Sequence, residues 1–299
     1  MTATAAKDAS AANAASPKYV HDPAWGRLPD GVSDWGVVPA VVVDSEDRVY
    51  VHRRAHPSVV VYDRHGEILT TWGERFEAGA HGLHLEKEAD GEEYLYFTDT
   101  KIHSVVKCTL DGRELWTLGS GQLVDGAPFN RPTDISLTPE GDFYISDGYG
   151  NRLVHHFDKN RKLIRSWGQE GTGPGQFVLV HDVWFDTRGG QRRLWVADRT
   201  NNRIEIFTPE GEFVEEKTGF RRPNGMWVDA AGFMYVAELD ARVTILDPQD
   251  QVIGHIGGDP ERVPGKLLKP HAIWGDSQGS LYVSEVEDGA RIQKFTRAG

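Results

Sequence analysis

His81, His181 and His271 each head a short β-branched or aromatic run, in H-G-L-H-L, H-D-V-W-F and H-A-I-W. Neutral imidazole is the commonest protein ligand for a transition metal near neutral pH. Three imidazoles plus an open fourth position is an arrangement by which zinc does chemistry. Fe(II), Mn(II) and Co(II) accept the same donors, so the set points to a divalent transition metal with zinc first. Histidine is 12 of 299 residues, too few for composition alone to place three at matching positions. Other reactive groups stand on loops at comparable places: Arg53 in H-R-R, Tyr149 in S-D-G-Y, Arg199 in V-A-D-R, and Lys269 two residues before His271. Near a metal, a tyrosine suits a general base and arginines suit a substrate carboxylate. A phenol ordinarily loses its proton near pH 10, so such a base needs a cation beside it; the metal and Arg53 are the candidates.

The elements that carry these residues repeat. Five segments share one order, and a sixth follows it in part: apolar run, D-x-x-G-like turn, aromatic run, polar loop, apolar run, charged turn, and a last run ending in Gly. They begin at Ala40, His81, Thr133, His181, Asn224 and His271, at a mean spacing of about 46 residues. That is the length of a four-stranded propeller blade. Runs such as L-Y-V-S-E-V and F-Y-I-S-D-G alternate with period 2, as strands do. The expected fold is all-β, a six-bladed β-propeller. The first residues of the units form a column around its axis, and the histidines occupy blades two, four and six, about 120° apart in a closed ring. The sixth unit lacks its last run. K-Y-V-H-D-P-A-W-G (18–26) ends in Trp-Gly, as do the outer runs at Trp72-Gly73 and Trp167-Gly168, so it is expected to supply the missing strand and close the ring. Residues 1–16 read as a flexible tail and 17–299 as a single propeller domain.

A second column follows the second run of each unit: Arg53-Arg54, Asp99-Thr100, Asp147-Gly148-Tyr149, Asp198-Arg199, Glu238-Leu239 and Glu285-Val286. The acids, with Arg152, Arg203, Arg242 and Arg291, read as structural ion pairs or turn caps. Arg53 takes the acid's place in the first unit. The histidines outside the axial column read as surface or strand residues, with His103, in the loop of the second unit, the one that could reach the axis.

Composition excludes several classes. Lys and Arg number 33 against 45 Asp and Glu, a net charge of −12, which argues against nucleic acid and against an anionic membrane surface. Cys108 is the single cysteine, so no internal disulfide is expected. No apolar run approaches the ~20 residues needed to span a bilayer. The start is rich in Ala, Ser and Thr without an apolar core, so a cytoplasmic location is expected, with a small-molecule substrate and no obligate protein partner. Phosphate-binding glycine loops, G-x-S-x-G and C-x-x-C are absent from the sequence.

The motifs H-R-R (52–54), H-G-L (81–83), R-P-T-D-I-S-L (131–137), S-D-G-Y-G-N-R (146–152), G-P-G-Q-F-V-L-V-H-D-V (173–183), V-A-D-R-T-N-N-R-I (196–204) and K-P-H-A-I (269–273) resemble those of NHL-repeat propellers. More closely, they resemble peptidyl-α-hydroxyglycine α-amidating lyases, over about residues 35–299. The resemblance implies an axial zinc on His81, His181 and His271, with active-site roles for Arg53, Tyr149 and Arg199. It also implies a structural calcium whose side-chain ligand follows the third zinc histidine. That position is Ala272 here, so the calcium lacks its ligand. Lys269 stands where the family lines its peptide pocket with Met, so the peptide substrate does not carry over. The expected reaction is lyase cleavage of a carbinolamide or related α-hydroxy compound, with Arg199 or Lys269 holding a carboxylate. Two other readings stay open: a hydrolase or hydratase in which the same metal activates water, and a non-catalytic NHL binding scaffold.

Overall fold

In the computed structural model, which describes residues 16–119 and 129–298, the strands form six four-stranded antiparallel sheets. Most of the tail expected over residues 1–16 lies outside the described residues. In five sheets the strands follow chain order from the axis outwards, as in Val180–Asp186, Arg193–Asp198, Arg203–Phe207 and Phe213–Lys217 of blade four. The sixth has Pro270–Gly275, Leu281–Glu285 and Arg291–Arg297 from the C-terminus, and its outermost strand is Tyr19–Asp22 from the N-terminus. The six-bladed propeller and its N-terminal closure are both as the repeats predict.

Burial explains the composition of each strand position. The second and third strands are buried on both faces, so they are runs of Val, Ile, Tyr and Phe. Outer strands such as Phe213–Lys217 are mostly exposed and carry charges. The apolar core lies between neighbouring blades: Tyr144 and Val154 of blade three pack with Phe177, Val183 and Val196 of blade four. The innermost hairpins share one turn device. Asp229 Oδ1 accepts from Ala231 N and Phe233 N, both at 2.9 Å, while Tyr235 donates to Oδ2 at 3.1 Å. Asp276 repeats it with Gln278 N, Ser280 N and Tyr282. These turns satisfy the loop backbone from within the repeat.

The N-terminal seam differs from the expectation in one detail. The strand pairs Tyr19 with Arg297 through Asp22 with Lys294 and stops there. Trp25 lies beyond it, whereas Trp72 and Trp167 are the last residues of their strands. Trp25 is 5% exposed. It inserts between Tyr62 of blade one and Tyr282 of blade six, with ring centroids 5.2 and 4.9 Å away. The segment therefore adds a strand and then a wedge. A chain beginning at Leu28 should melt well below one beginning at Pro17, by roughly 6–10 °C or more. A buried Trp alone is worth about 3–5 kcal/mol, at roughly 2 °C per kcal/mol for a chain this long. Equal melting temperatures in differential scanning calorimetry would contradict this closure.

Candidate active site

The innermost strands place the histidines through a β-bulge. In blade four Val180 pairs with Asp198 and Asp182 with Ala197, so His181 is the extra residue between them. Blade six repeats this around His271, and the pairing in blade two shifts around His81 and Gly82. A bulge re-aims a side chain that strict alternation would turn away. All three imidazoles point to the axis, with ring centroids 4.7–5.0 Å apart. They are 1%, 2% and 6% exposed for His81, His181 and His271.

Each ring is fixed by the neighbouring blade. Nδ1 of His81 donates to Thr133 O at 2.7 Å, that of His181 to Asn224 O at 3.0 Å, and that of His271 to Pro39 O at 2.6 Å. A carbonyl only accepts, so Nδ1 carries the hydrogen and Nε2 presents a lone pair. The acceptors are the equivalent residues of blades three, five and one, which corrects the column: its member in blade one is Pro39, one residue before Ala40. Burial lowers all three imidazole pKa values, that of His271 to about 3. Arg199 depresses all three further, Arg54 depresses His81 and His271, and neighbouring rings depress His81 and His181. One ring nitrogen from each lies within 4.8 Å of the others. Neutral rings, lone pairs turned inward and Nδ1–H groups held by backbone carbonyls are what a transition-metal ion requires. The donor set therefore fits a metal.

Tyr149 reaches this point from blade three. Its hydroxyl donates to His81 Nε2 at 3.0 Å and lies 3.4 Å from His181 Nε2. The loop passes so close to blade four that a Cβ on Gly148 would stand 1.5 Å from Val180 O, so only glycine fits there. Arg199 Nη1 lies 3.5 Å from the phenolic oxygen, and the guanidinium groups of Arg131 and Arg199 stand 4.9 and 5.6 Å from the ring centre. A cavity of about 330 Å³ opens above, lined by His81, His271, Tyr149, Arg54, Arg131 and Arg199, with Glu287 at its side.

Arg53 lies elsewhere. It is 1% exposed and its Nη2 donates to Asp34 O at 3.1 Å, in the loop that leads into blade one. The acids of the other blades hold the equivalent loop: Asp198 accepts from Val178 N and Leu179 N, and Glu285 from Leu268 N and Lys269 N. Arg53 is thus a member of the loop-holding column, and its neighbour Arg54 faces the cavity, as Arg199, Leu239 and Val286 do. Alternation along the strand puts adjacent residues on opposite sides. The expected ion pairs form at Asp198–Arg203, Glu238–Arg242 and Glu285–Arg291. Arg152 instead faces Glu170 at 3.7 Å. Lys269 pairs with Glu287 at 3.5 Å, behind the cavity wall. His103 accepts from Arg131 N at 3.0 Å, positioning that arginine without lining the cavity.

No periodicity marks Arg131, and a further layer lies below the histidines. One residue along each inner strand stand Gly82, Asp134, Asp182 and Ala272. A Cβ on Gly82 would lie 2.6 Å from Thr133 O, a measure of how narrow the axis is. Asp134 accepts from Ile135 N and Asp182 from Met226 N. Burial raises both carboxyls, Asp134 to about 7. Here the buried carboxyls stand in blades three and four, and blade six has Ala272. His84, Trp184 and Trp274 close the axis beneath them.

An NHL-repeat family model matches residues 129–157. The chain is a six-bladed propeller whose third blade carries this NHL-repeat match. Human NHL repeat-containing protein 3 is 30% identical over 211 residues, 66% of this chain and 58% of that protein. Peptidyl-glycine alpha-amidating monooxygenase B of Xenopus laevis is 30% identical over 190 residues, 58% of this chain and 21% of that one. Peptidyl-alpha-hydroxyglycine alpha-amidating lyase 1 of Drosophila melanogaster is 29% identical over 152 residues, 48% and 27%. The chain thus spans less than two thirds of each relative. Among solved structures, a streptogramin B lyase aligns with a TM-score of 0.58 at 16% identity, covering 87% of this chain and 79% of that one. The gluconolactonase XC5397 of Xanthomonas campestris aligns at 0.64 and 13%, covering 89% and 88%. At these identities the likeness is one of fold. No helix among the described residues is long and apolar enough to cross a membrane.

Two outcomes check this account. Replacing His81, His181 or His271 by Ala should remove most of about one equivalent of metal measured by mass spectrometry of purified protein; two variants with full content would contradict an axial site. His52 supplies a contrast, because burial alone also makes a histidine neutral. It is fully buried against Phe76 and Phe97, has no hydrogen-bond partner among the described residues, and is pushed down to about 3 by desolvation. Between about pH 3 and 6.5 the unfolded imidazole binds a proton and the folded one does not, so its contribution to stability falls as pH falls. Going from pH 7 to 5, wild type should lose about 2 kcal/mol relative to His52→Leu in urea unfolding. Parallel pH profiles would contradict a buried neutral His52.

Proposed function

We propose that the axial site is that of a metal-dependent lyase, with zinc or another divalent transition metal on His81, His181 and His271. It cleaves a carbinolamide or related α-hydroxy compound. The observation that carries this reading is the position of the Tyr149 hydroxyl, 3.0 Å from a metal-facing imidazole nitrogen and within 3.5 Å of Arg199. A phenol at that place suits proton transfer, which a scaffold has no use for. Sequence similarity to chains named amidating lyase supports the same reaction class.

Bound there, the metal supplies positive charge that favours ionisation of a substrate hydroxyl. Tyr149 is the protein group placed to take the hydroxyl proton. Loss of that proton lets the carbon–oxygen double bond form as the carbon–nitrogen bond breaks. The proton then passes from Tyr149 to the departing nitrogen, giving an amide and an aldehyde or keto acid with all atoms accounted for. Arg199, donating toward the phenolic oxygen, holds it in place and faces any carboxylate in the cavity. Arg54 takes the part expected of Arg53 at the cavity wall, while Arg53 holds the entry loop. Lys269 acts at one remove, by pairing with Glu287.

Tyr149→Phe deletes one oxygen and keeps the ring. Aldehyde release from an N-acyl-α-hydroxyglycine should fall by about 10²–10⁴ in kcat, with metal content and melting temperature unchanged. Retention of more than half the activity would remove the phenolic base and favour a hydrolase in the same cavity.

A further inference from the structure

We infer that the substrate of the axial cavity carries two separate anionic groups, one met by Arg199 and a second met by Arg54 and Arg131. This rests on the cavity being the substrate site. The chain has a net charge of −12, yet three arginines converge on one cavity of about 330 Å³. None of the three makes a salt bridge among the described residues, whereas Arg188, Arg193 and Arg203 each engage two or more carboxylates. Glu287 is the one acid among the described residues lining the cavity, and Lys269 already faces it at 3.5 Å.

The donors are also unspent. Among the described residues Arg54 uses only Nε, donating to Ala80 O at 2.7 Å, and its terminal nitrogens meet no partner there. The guanidinium of Arg131 has no hydrogen bond among the described residues and is braced over the Tyr149 ring. Its backbone, at φ 66°, is held by His103 Nδ1. Burial disfavours the charged form of Arg54, and the nearby guanidinium of Arg131 adds to this. Like charges gathered without counter-charges favour an anion between them. A guanidinium pair takes a carboxylate or phosphate oxygen pair with directed hydrogen bonds. Arg199 stands on the other side, at the phenolic oxygen. A monoanionic substrate satisfies Arg199 and leaves Arg54 and Arg131 unanswered, while a dianionic one answers all three.

The test is binding without turnover. Succinate, glutarate and adipate are compared with their monoamides by isothermal titration calorimetry on the protein as purified. At least one diacid should bind tenfold or more tightly than its monoamide. In Arg131→Gln the two should come within about twofold, with metal content unchanged. Arg54→Gln should do the same; because Arg54 also holds Ala80 O, the exposed Arg131 keeps the test readable if that variant fails to fold. No diacid exceeding its monoamide by more than twofold, or a preference that survives Arg131→Gln, overturns the inference. A diacid preference alongside full activity of Tyr149→Phe would leave the two-anion site standing and sink the lyase mechanism instead.

Discussion

Three hydrogen bonds hold the functional centre together: those from each axial imidazole Nδ1–H to a backbone carbonyl of the following blade. Each does three things. It selects the tautomer that turns a lone pair to the axis, it stops the ring from rotating, and it joins one blade to the next. A backbone acceptor cannot be lost by substitution, so the ligand geometry depends on the register of six inner strands. The bulges at His81, His181 and His271 exist in this light to move each ring half a pleat inward. The loop-holding acids, with Arg53 in their company, then keep the entry to each inner strand from drifting.

Charge is distributed against the grain of the whole chain. Burial keeps the histidines neutral where a metal ion would want them, and that neutrality is reinforced by the same arginines that line the cavity. Deeper on the axis, Asp134 and Asp182 lie close enough that ionising both is unfavourable, and burial raises both. The channel thus runs from a cationic mouth through a neutral ligand layer to two carboxyls whose ionisation burial disfavours, and ends on aromatic rings.

The blade count, the closing strand and the three histidines were legible because each depends on a period. Repeats reveal strands, and a residue type recurring in alternate repeats reveals symmetry about an axis. What escaped depends on single-residue offsets. Arg53 and Arg54 sit side by side, and the family motif draws attention to the first; only alternation decides that the second faces the cavity. The repeat itself held the clue, since Arg199 is the second member of Asp198-Arg199 and Arg54 the second of its own pair. Ala40 was misplaced by one residue for the same reason, because a bulge is invisible in a pattern of period 2. Arg131 lies in the loop before an inner strand, where no periodicity marks which way a side chain turns. Trp25 was legible as a closing residue and not as a wedge, since the Trp-Gly likeness concealed that its strand had already ended.

The seam between blades six and one has a bearing on how the protein is made. Tyr19 pairs with Arg297, and His271 bonds Pro39 across the same boundary, 232 residues away along the chain. A ribosome releases Tyr19 long before Arg297 exists. Blades one to five can therefore form in order on the growing chain, but the first strand must wait, unpaired, for the last one. The third histidine reaches its final orientation only when that wait ends. The three-imidazole set is in this way tied to completion of synthesis, and a chain cut short by even one blade has neither a sealed ring nor a third histidine to offer.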